Sequence, residues 1–109
     1  MKNDPIKFDK KKLILSAKNV EFEVPIADVL AFDEIVVVLL EQSVDENVYG
    51  LNRDGKIIWR IQKEKFPHGV NSYVNMWREG ENLGLGNFTG YTITADPRTG
   101  KILKKEFTK

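Results

Sequence analysis

Short runs of β-branched and aromatic residues, interrupted by residues that favour turns, constrain the fold of this sequence more than any other feature. No segment repeats apolar residues at the 3.6-residue period of an amphipathic helix, so we expect little helix. The sequence therefore predicts an all-β protein. The strand signal covers residues 8–16, 19–24, 26–32, 35–40, 48–51, 56–62, 73–78, 83–86, 91–95 and 101–107.

Two turns between these strands have specific chemistry. Asp54-Gly55 follows the strand at 48–51, and glycine accepts the positive φ that a tight hairpin requires. Before the last strand, Pro97 presets the first turn position and Gly100 closes the turn. Turns of this kind join neighbouring strands as hairpins, so we expect antiparallel sheets.

The segment 35–40 is apolar at all six positions. A strand at the surface alternates between an apolar and a wet face, as Val20, Phe22 and Val24 alternate with glutamates. A strand that is apolar throughout needs cover on both faces. We therefore expect residues 35–40 to form the central strand of the protein.

The two hairpins with specific turns also match each other. Gly55 and Gly100 lie 45 residues apart, and each is followed by a lysine and an isoleucine. A comparable block of strand, acidic turn and strand precedes each of them, at 26–41 and 73–86. We expect a single domain with an N-terminal β-hairpin at 1–25 and blade-like four-stranded units at 26–65 and 66–109.

The stretch VYGLNRDGKIIWRI at 48–61 resembles a blade of the PQQ-like, or quinoprotein-type, β-propeller repeat. Gly55, Lys56 and Trp59 match the residues with which such a blade usually ends. The resemblance extends over about residues 26–107 and implies a fold of propeller-type blades.

The second copy departs from that pattern at one position. Thr99, Gly100 and Lys101 match it, but Lys104 stands where the tryptophan is usual, as suits a terminal repeat with an exposed outer face. The resemblance implies no quinone cofactor, because two blades cannot enclose the axial pocket of a closed ring. We therefore predict no cofactor.

The residues that most often carry catalysis or bind metals are scarce. The 109 residues contain no cysteine, which excludes disulfides, thiolate catalysis and cysteine-based zinc sites and favours a cytoplasmic location. His68 is the only histidine, and it stands in a loop between Pro67 and Gly69 with no carboxylate close in sequence. We predict no catalytic or metal-binding residue, and we expect the protein not to be an enzyme.

Membrane and nucleic-acid partners are not expected. The longest apolar run has six residues, whereas a membrane-spanning helix needs roughly 20. The net charge is +1, and the lysines at 10–12 and 104–105 lie near the chain ends with few aromatic residues between them.

Charge is nevertheless distributed unevenly along the chain. Residues 25–54 contain seven acids and Arg53, whereas residues 55–109 contain ten basic and five acidic residues. The acidic segment is either a solvated surface or a face that binds a basic partner. The residues that we predict to contact such a partner are Asp28, Asp33, Glu34, Glu41, Asp45 and Glu46.

Three functions remain open on this basis. The preferred one is a non-enzymatic protein-interaction domain, specifically an immunity-like inhibitor that binds a basic bacterial toxin domain. The second is a structural β protein that self-assembles into a homodimer, since a symmetric dimer closes open sheet edges. The third is a small-ligand-binding protein that uses His68 with carboxylates.

Overall fold

The computed structural model describes residues 6–69 and 71–107. Within these ranges it contains three antiparallel sheets and no α-helix, with one short 3-10 helix at Pro67–Gly69. The N-terminal sheet consists of β1 (Lys7–Asp9), β2 (Lys12–Ile14) and β3 (Asn19–Glu21). The central sheet consists of β4 (Ile26–Phe32), β5 (Ile35–Leu40), β6 (Val48–Asn52) and β7 (Ile57–Arg60). The C-terminal sheet consists of β8 (Tyr73–Glu79), β9 (Asn82–Asn87), β10 (Tyr91–Ala95) and β11 (Ile102–Phe107).

Each sheet is a meander in which strands that follow each other in sequence pair in space. The predicted all-β class, with two four-stranded antiparallel units and an N-terminal hairpin region, is confirmed. One detail was wrong, because residues 8–16 do not form a single strand. A turn with Lys10 at φ 56° separates β1 from β2, so the N-terminal region has three strands. Residues 10–12 are all lysines, so no glycine, asparagine or proline reveals this turn in the sequence.

The central sheet lies between the other two, and β5 is buried on both faces. Val37 and Leu39 pack in one apolar cluster with residues of the C-terminal sheet. Val36, Val38 and Leu40 pack in a second cluster with residues of the N-terminal sheet. The prediction that 35–40 is the central, doubly covered strand is therefore confirmed.

The two four-stranded sheets share an irregularity in their last strand pair. In the central sheet Gly50 pairs with Trp59 and Leu51 with Ile57, so that Ile58 is the extra residue of a bulge. In the C-terminal sheet Leu103 is the extra residue in the same way, because the partners of β10 skip from Lys104 to Ile102. The turns before these strands contain glycines at φ 89° and 75°. The internal repeat seen in sequence is thus also a repeat of backbone geometry.

Trp59 and Lys104, at matching positions, have opposite environments. Trp59 is buried against the β10–β11 turn, where a Cβ added to Gly100 would lie 2.5 Å from its ring. The side chain of Lys104 is 62% exposed on the outer face of the C-terminal sheet. Its row on that face continues through Thr94 and Gly84 to the half-buried Trp77 and contains no large aliphatic residue. This outer face ends the stack of described sheets, as in the terminal unit of a repeat protein.

Candidate functional site

The segment that follows β7 lies beside β11, so that β7 and β11 face the same side of the protein. The backbone N–H of Gln62 donates to the carbonyl oxygen of Gly100 at 3.1 Å, and the side-chain Oε1 of Gln62 accepts the backbone N–H of Ile102 at 2.7 Å. These bonds attach the end of the central sheet to the start of β11. We call this side, residues 56–65 and 101–107, the edge surface.

Large apolar side chains are exposed on the edge surface. Ile57, Ile58, Leu103 and Phe107 are 47, 47, 52 and 60% exposed. They are four of the eight large apolar residues that are exposed in the described ranges. Ile58 and Leu103 are the extra residues of the two β-bulges, so their side chains do not follow the regular alternation between the two faces of a strand. Exposed apolar residues that cluster on one side are typical of an interaction surface.

The edge surface is also basic. It has seven basic and two acidic residues, whereas the whole chain has a net charge of only +1. Among described residues the basic ones are Lys56, Arg60, Lys63, Lys65, Lys101, Lys104 and Lys105, and the acidic ones are Glu64 and Glu106.

Two neighbouring lysines of β11 face different surroundings. The ammonium of Lys105 lies 3.4 Å from a carboxylate oxygen of Glu64 and within 5.6 Å of the ring centroids of Phe66 and Tyr91. It is therefore held against its own subunit. Lys104 reaches solvent, where its only described ion pair is with Glu106 at 3.3 Å. An exposed pair of this kind contributes little stability, so both charges remain available to a partner.

On the opposite side of the protein, the edge strands β4 and β8 lie against each other. The guanidinium of Arg78 donates a hydrogen bond from β8 to the carbonyl oxygen of Ala31 in β4. It also lies 4.7 Å from the centroid of the Phe32 ring. This arginine covers part of the edge of β4, in contrast to the open strand β11.

The six predicted acidic residues do not form one surface. Asp33 and Glu34 form the β4–β5 turn, whereas Glu41 follows the other end of β5. Six residues of strand separate these ends by roughly 20 Å.

The remaining predicted residues are engaged in local structure. Asp28, on β4, is half-buried and accepts the amide N–H of Val29 at 2.9 Å. Asp45 and Glu46 lie in the β5–β6 loop, and Arg60 donates hydrogen bonds to their carbonyl oxygens at 2.8 and 3.0 Å. Glu46 is only 9% exposed. The chain thus distributes its acidic segment over both ends of the central sheet.

A cleft of about 400 Å³ lies where turns of the two four-stranded sheets meet. Asp33 and Glu34 line it from the central sheet, and Glu81 lines it from the β8–β9 turn. Arg78 and Arg98 line it as well. Because two guanidinium groups offset most of the charge of these three carboxylates, the cleft has little acidic character to select a basic partner.

Two buried polar residues join the central and C-terminal sheets beneath the surface. The side chain of Asn47 donates to the carbonyl oxygens of Leu40 and Tyr73 at 2.7 and 2.9 Å and accepts the amide N–H of Tyr73 at 2.7 Å. Burial is the main cause that raises the pKa of the Tyr73 phenol above its usual value, and the charges of Glu64 and Glu46 raise the pKa further. The phenol is therefore neutral in the folded protein around neutral pH.

The backbone of His68 lies in the 3-10 helix that precedes β8, but its side chain lies outside the described part of the chain. The third hypothesis, which gives this histidine a role, stays a prediction. Among the described residues, no three histidine or acidic side chains lie close enough together to hold a metal ion. Nor do these residues form any helix with the length and apolarity needed to cross a membrane.

No curated protein matches this chain. Among solved structures, the crystal structure of the computationally designed Ika8 protein is similar over 95% of this chain, with a TM-score of 0.61 and 12% sequence identity. The match covers 36% of the designed chain, and at this identity the likeness concerns the fold alone. A family model described as "Domain of unknown function (DUF7957)" matches residues 3–107, and the chain therefore belongs to this family.

Proposed function

We propose that this protein is a non-enzymatic protein-interaction domain and that the edge surface binds the partner. The observation that carries the proposal is the coincidence of exposed apolar side chains and positive charge on two edge strands that face the same side of the protein. Burial of the apolar groups would supply affinity, and the lysines would speed association and exclude basic proteins.

The charge of the edge surface favours an acidic partner. The alternative, an immunity-like inhibitor of a basic toxin domain, needs the predicted acidic residues to act together. Asp33 and Glu34 lie at the other end of the central sheet from Glu41, and arginines line the cleft beside the first two. The geometry therefore gives the edge surface more support than the acidic segment.

A homodimer receives less support for the same reason. A symmetric dimer places the same patch of both subunits in contact, so two edge surfaces with seven basic residues each would face one another. Like charges across an interface oppose association. An unlike, acidic partner satisfies both the apolar and the charged groups.

We also propose that the two four-stranded sheets are propeller-type blades without a cofactor. The matching bulges at Ile58 and Leu103 and the glycines of positive φ in the preceding turns support this relationship. A blade is a scaffold, so this relationship bears on the fold and not on the partner.

Site-specific photo-crosslinking tests the function. A benzoylphenylalanine placed at Leu103 should crosslink one discrete protein in cells, and mass spectrometry should identify a protein with an acidic surface. The matched control places the same group at Ile14, which is 37% exposed on the N-terminal sheet. The crosslink from position 103 should disappear in the Ile58→Lys background. Equal products from both positions, or none from either, would contradict the proposal.

A further inference from the structure

We propose that the edge surface binds an acidic, extended segment of the partner, which adds to β11 as a fifth strand of the C-terminal sheet. The inference rests on the proposed function and names the chemistry of the ligand. Three observations support it: the open edge of β11, the smaller exposure of the other edge strands, and the order of charged and apolar residues along β11.

The edge of β11 is open along most of its length. It is the end strand of its sheet and pairs only with β10. All residues from Leu103 to Phe107 are exposed, on both faces of the strand. Within the described residues, the main chain of this stretch bonds to no group outside β10. Unpaired N–H and C=O groups on such an edge are a template for another strand.

The other edges are less suited to accept a strand. Arg78 occupies the carbonyl oxygen of Ala31 on β4, and β8 lies against β4. β7 has only four residues, and Gln62, which follows it, already forms a backbone hydrogen bond with Gly100. Among the described edge strands of the two four-stranded sheets, β11 has the longest run of consecutive exposed residues.

The residue order along β11 selects an acidic strand. Lysines on an edge deter pairing with neutral or basic strands, because their charges would be desolvated or opposed. A strand with carboxylates opposite Lys104 removes this penalty. Leu103 and Phe107, 52 and 60% exposed, flank the charged centre. The expected ligand is thus an acidic centre flanked by apolar residues.

Peptide binding tests the proposal directly. The probe is a fluorescein-labelled, seven-residue peptide of alternating valine and glutamate, and binding is followed by fluorescence anisotropy. One control peptide has proline in place of an internal valine, which keeps all of the charge but cannot complete the ladder of hydrogen bonds. It should bind about tenfold more weakly, as expected for roughly 1.4 kcal/mol of lost backbone pairing. Equal binding of both peptides would overturn strand addition and indicate unspecific attraction.

Charge variants locate the peptide on β11. Lys104→Glu should weaken binding about tenfold, because an attractive exposed pair becomes a repulsive one. Glu106→Gln should tighten binding, since it removes the acidic residue of the strand's exposed ion pair. Lys12→Glu is the matched control on the exposed side of the N-terminal sheet and should have little effect. Amide resonances of residues 103–107 should shift on titration, and shifts confined elsewhere would contradict the assignment.

The outcomes separate this inference from the proposed function. If position 103 crosslinks a partner but no acidic peptide binds, the edge surface stands and strand addition is wrong. If light scattering shows a dimer whose β11 amides are protected from exchange without peptide, a second copy occupies the edge and the inference is wrong. If position 103 crosslinks nothing specifically, the proposed function itself fails.

Discussion

The indole nitrogen of Trp59 donates a hydrogen bond to the carbonyl oxygen of Pro97 at 2.8 Å, across 38 residues of sequence. This bond joins the last strand of the central sheet to the β10–β11 turn of the C-terminal sheet. The same indole covers Gly50 and Gly100, so that one side chain connects the two repeats.

Truncation of Trp59 should therefore destabilise the protein strongly. Trp59→Ala should lower the free energy of unfolding by about 4 kcal/mol, because a large buried side chain is lost and a cavity remains. Trp59→Phe should cost about 2 kcal/mol through the lost hydrogen bond and poorer fit. Lys104→Ala, at the matching position of the second repeat, should change stability by less than about 0.5 kcal/mol. Urea denaturation measures all three, and similar losses for Trp59→Ala and Lys104→Ala would contradict the assigned roles.

Gly50 is expected to couple energetically to Trp59. A Cβ on Gly50 would lie 2.1 Å from the indole, so Gly50→Ala should cost about 2 kcal/mol. In the Trp59→Ala background the same change should cost at least about 1 kcal/mol less, which a double-mutant cycle measures.

The second repeat provides a control cycle for this coupling. Thr94 and Lys104 are paired as Gly50 and Trp59 are. Because Lys104 points to solvent, a cycle of Thr94→Ala and Lys104→Ala should give a coupling below about 0.5 kcal/mol. If the stability losses of Gly50→Ala and Trp59→Ala were additive, the predicted coupling between the added Cβ and the indole would be wrong.

Asn47 should be the most costly asparagine to replace. Its side chain is fully buried and bonds both the N–H and the carbonyl oxygen of Tyr73. Asn47→Ala leaves these groups unpaired in the interior and should cost about 3 kcal/mol. Asn75→Ala, at an exposed position of β8, is the comparison and should cost less than about 0.5 kcal/mol. Denaturation midpoints that agree for the two variants would count against the role of Asn47.

Stability should fall at alkaline pH because of Tyr73. Its pKa is raised in the folded state, so the phenol ionises first in the unfolded chain, near its ordinary value of about 10. The buried neutral phenol contributes its full share of the folding stability below that pH. This share is lost as pH rises toward the folded-state pKa, by up to about 1.4 kcal/mol per pH unit. Urea denaturation between about pH 9 and about pH 11 should show a steeper decline for the native protein than for Tyr73→Phe. Parallel declines would mean that the phenol titrates alike in both states.

Much of the fold is readable in the sequence because hairpins are specified locally. Asp54-Gly55 and the turn from Pro97 to Gly100 define their own geometry, and the apolar run at 35–40 requires cover on both faces. The division of residues 8–16 into two strands was not readable. Lys10 adopts a positive φ without the residue types that usually signal one.

The candidate site was less accessible to sequence reasoning. The acidic segment was predicted to contact a partner because its charges are close together along the chain. The edge surface has charges from two segments about 40 residues apart, which the bond between Gln62 and Gly100 brings together. The signal that could have found it was the repeat, since Ile58 and Leu103 occupy the same position in the two hairpins.

The sequence by itself determined where the strands of the two four-stranded sheets run, which of them pair as hairpins and which strand is central, because turn chemistry and apolar alternation act over a few residues. Only the tertiary structure decided which charges share a surface. Residues at the two ends of a strand such as β5 are close in sequence but lie roughly 20 Å apart in space. Asp33 and Glu41 therefore lie at opposite ends of β5, whereas the bonds of Gln62 to Gly100 and Ile102 bring the basic segment after β7 next to β11.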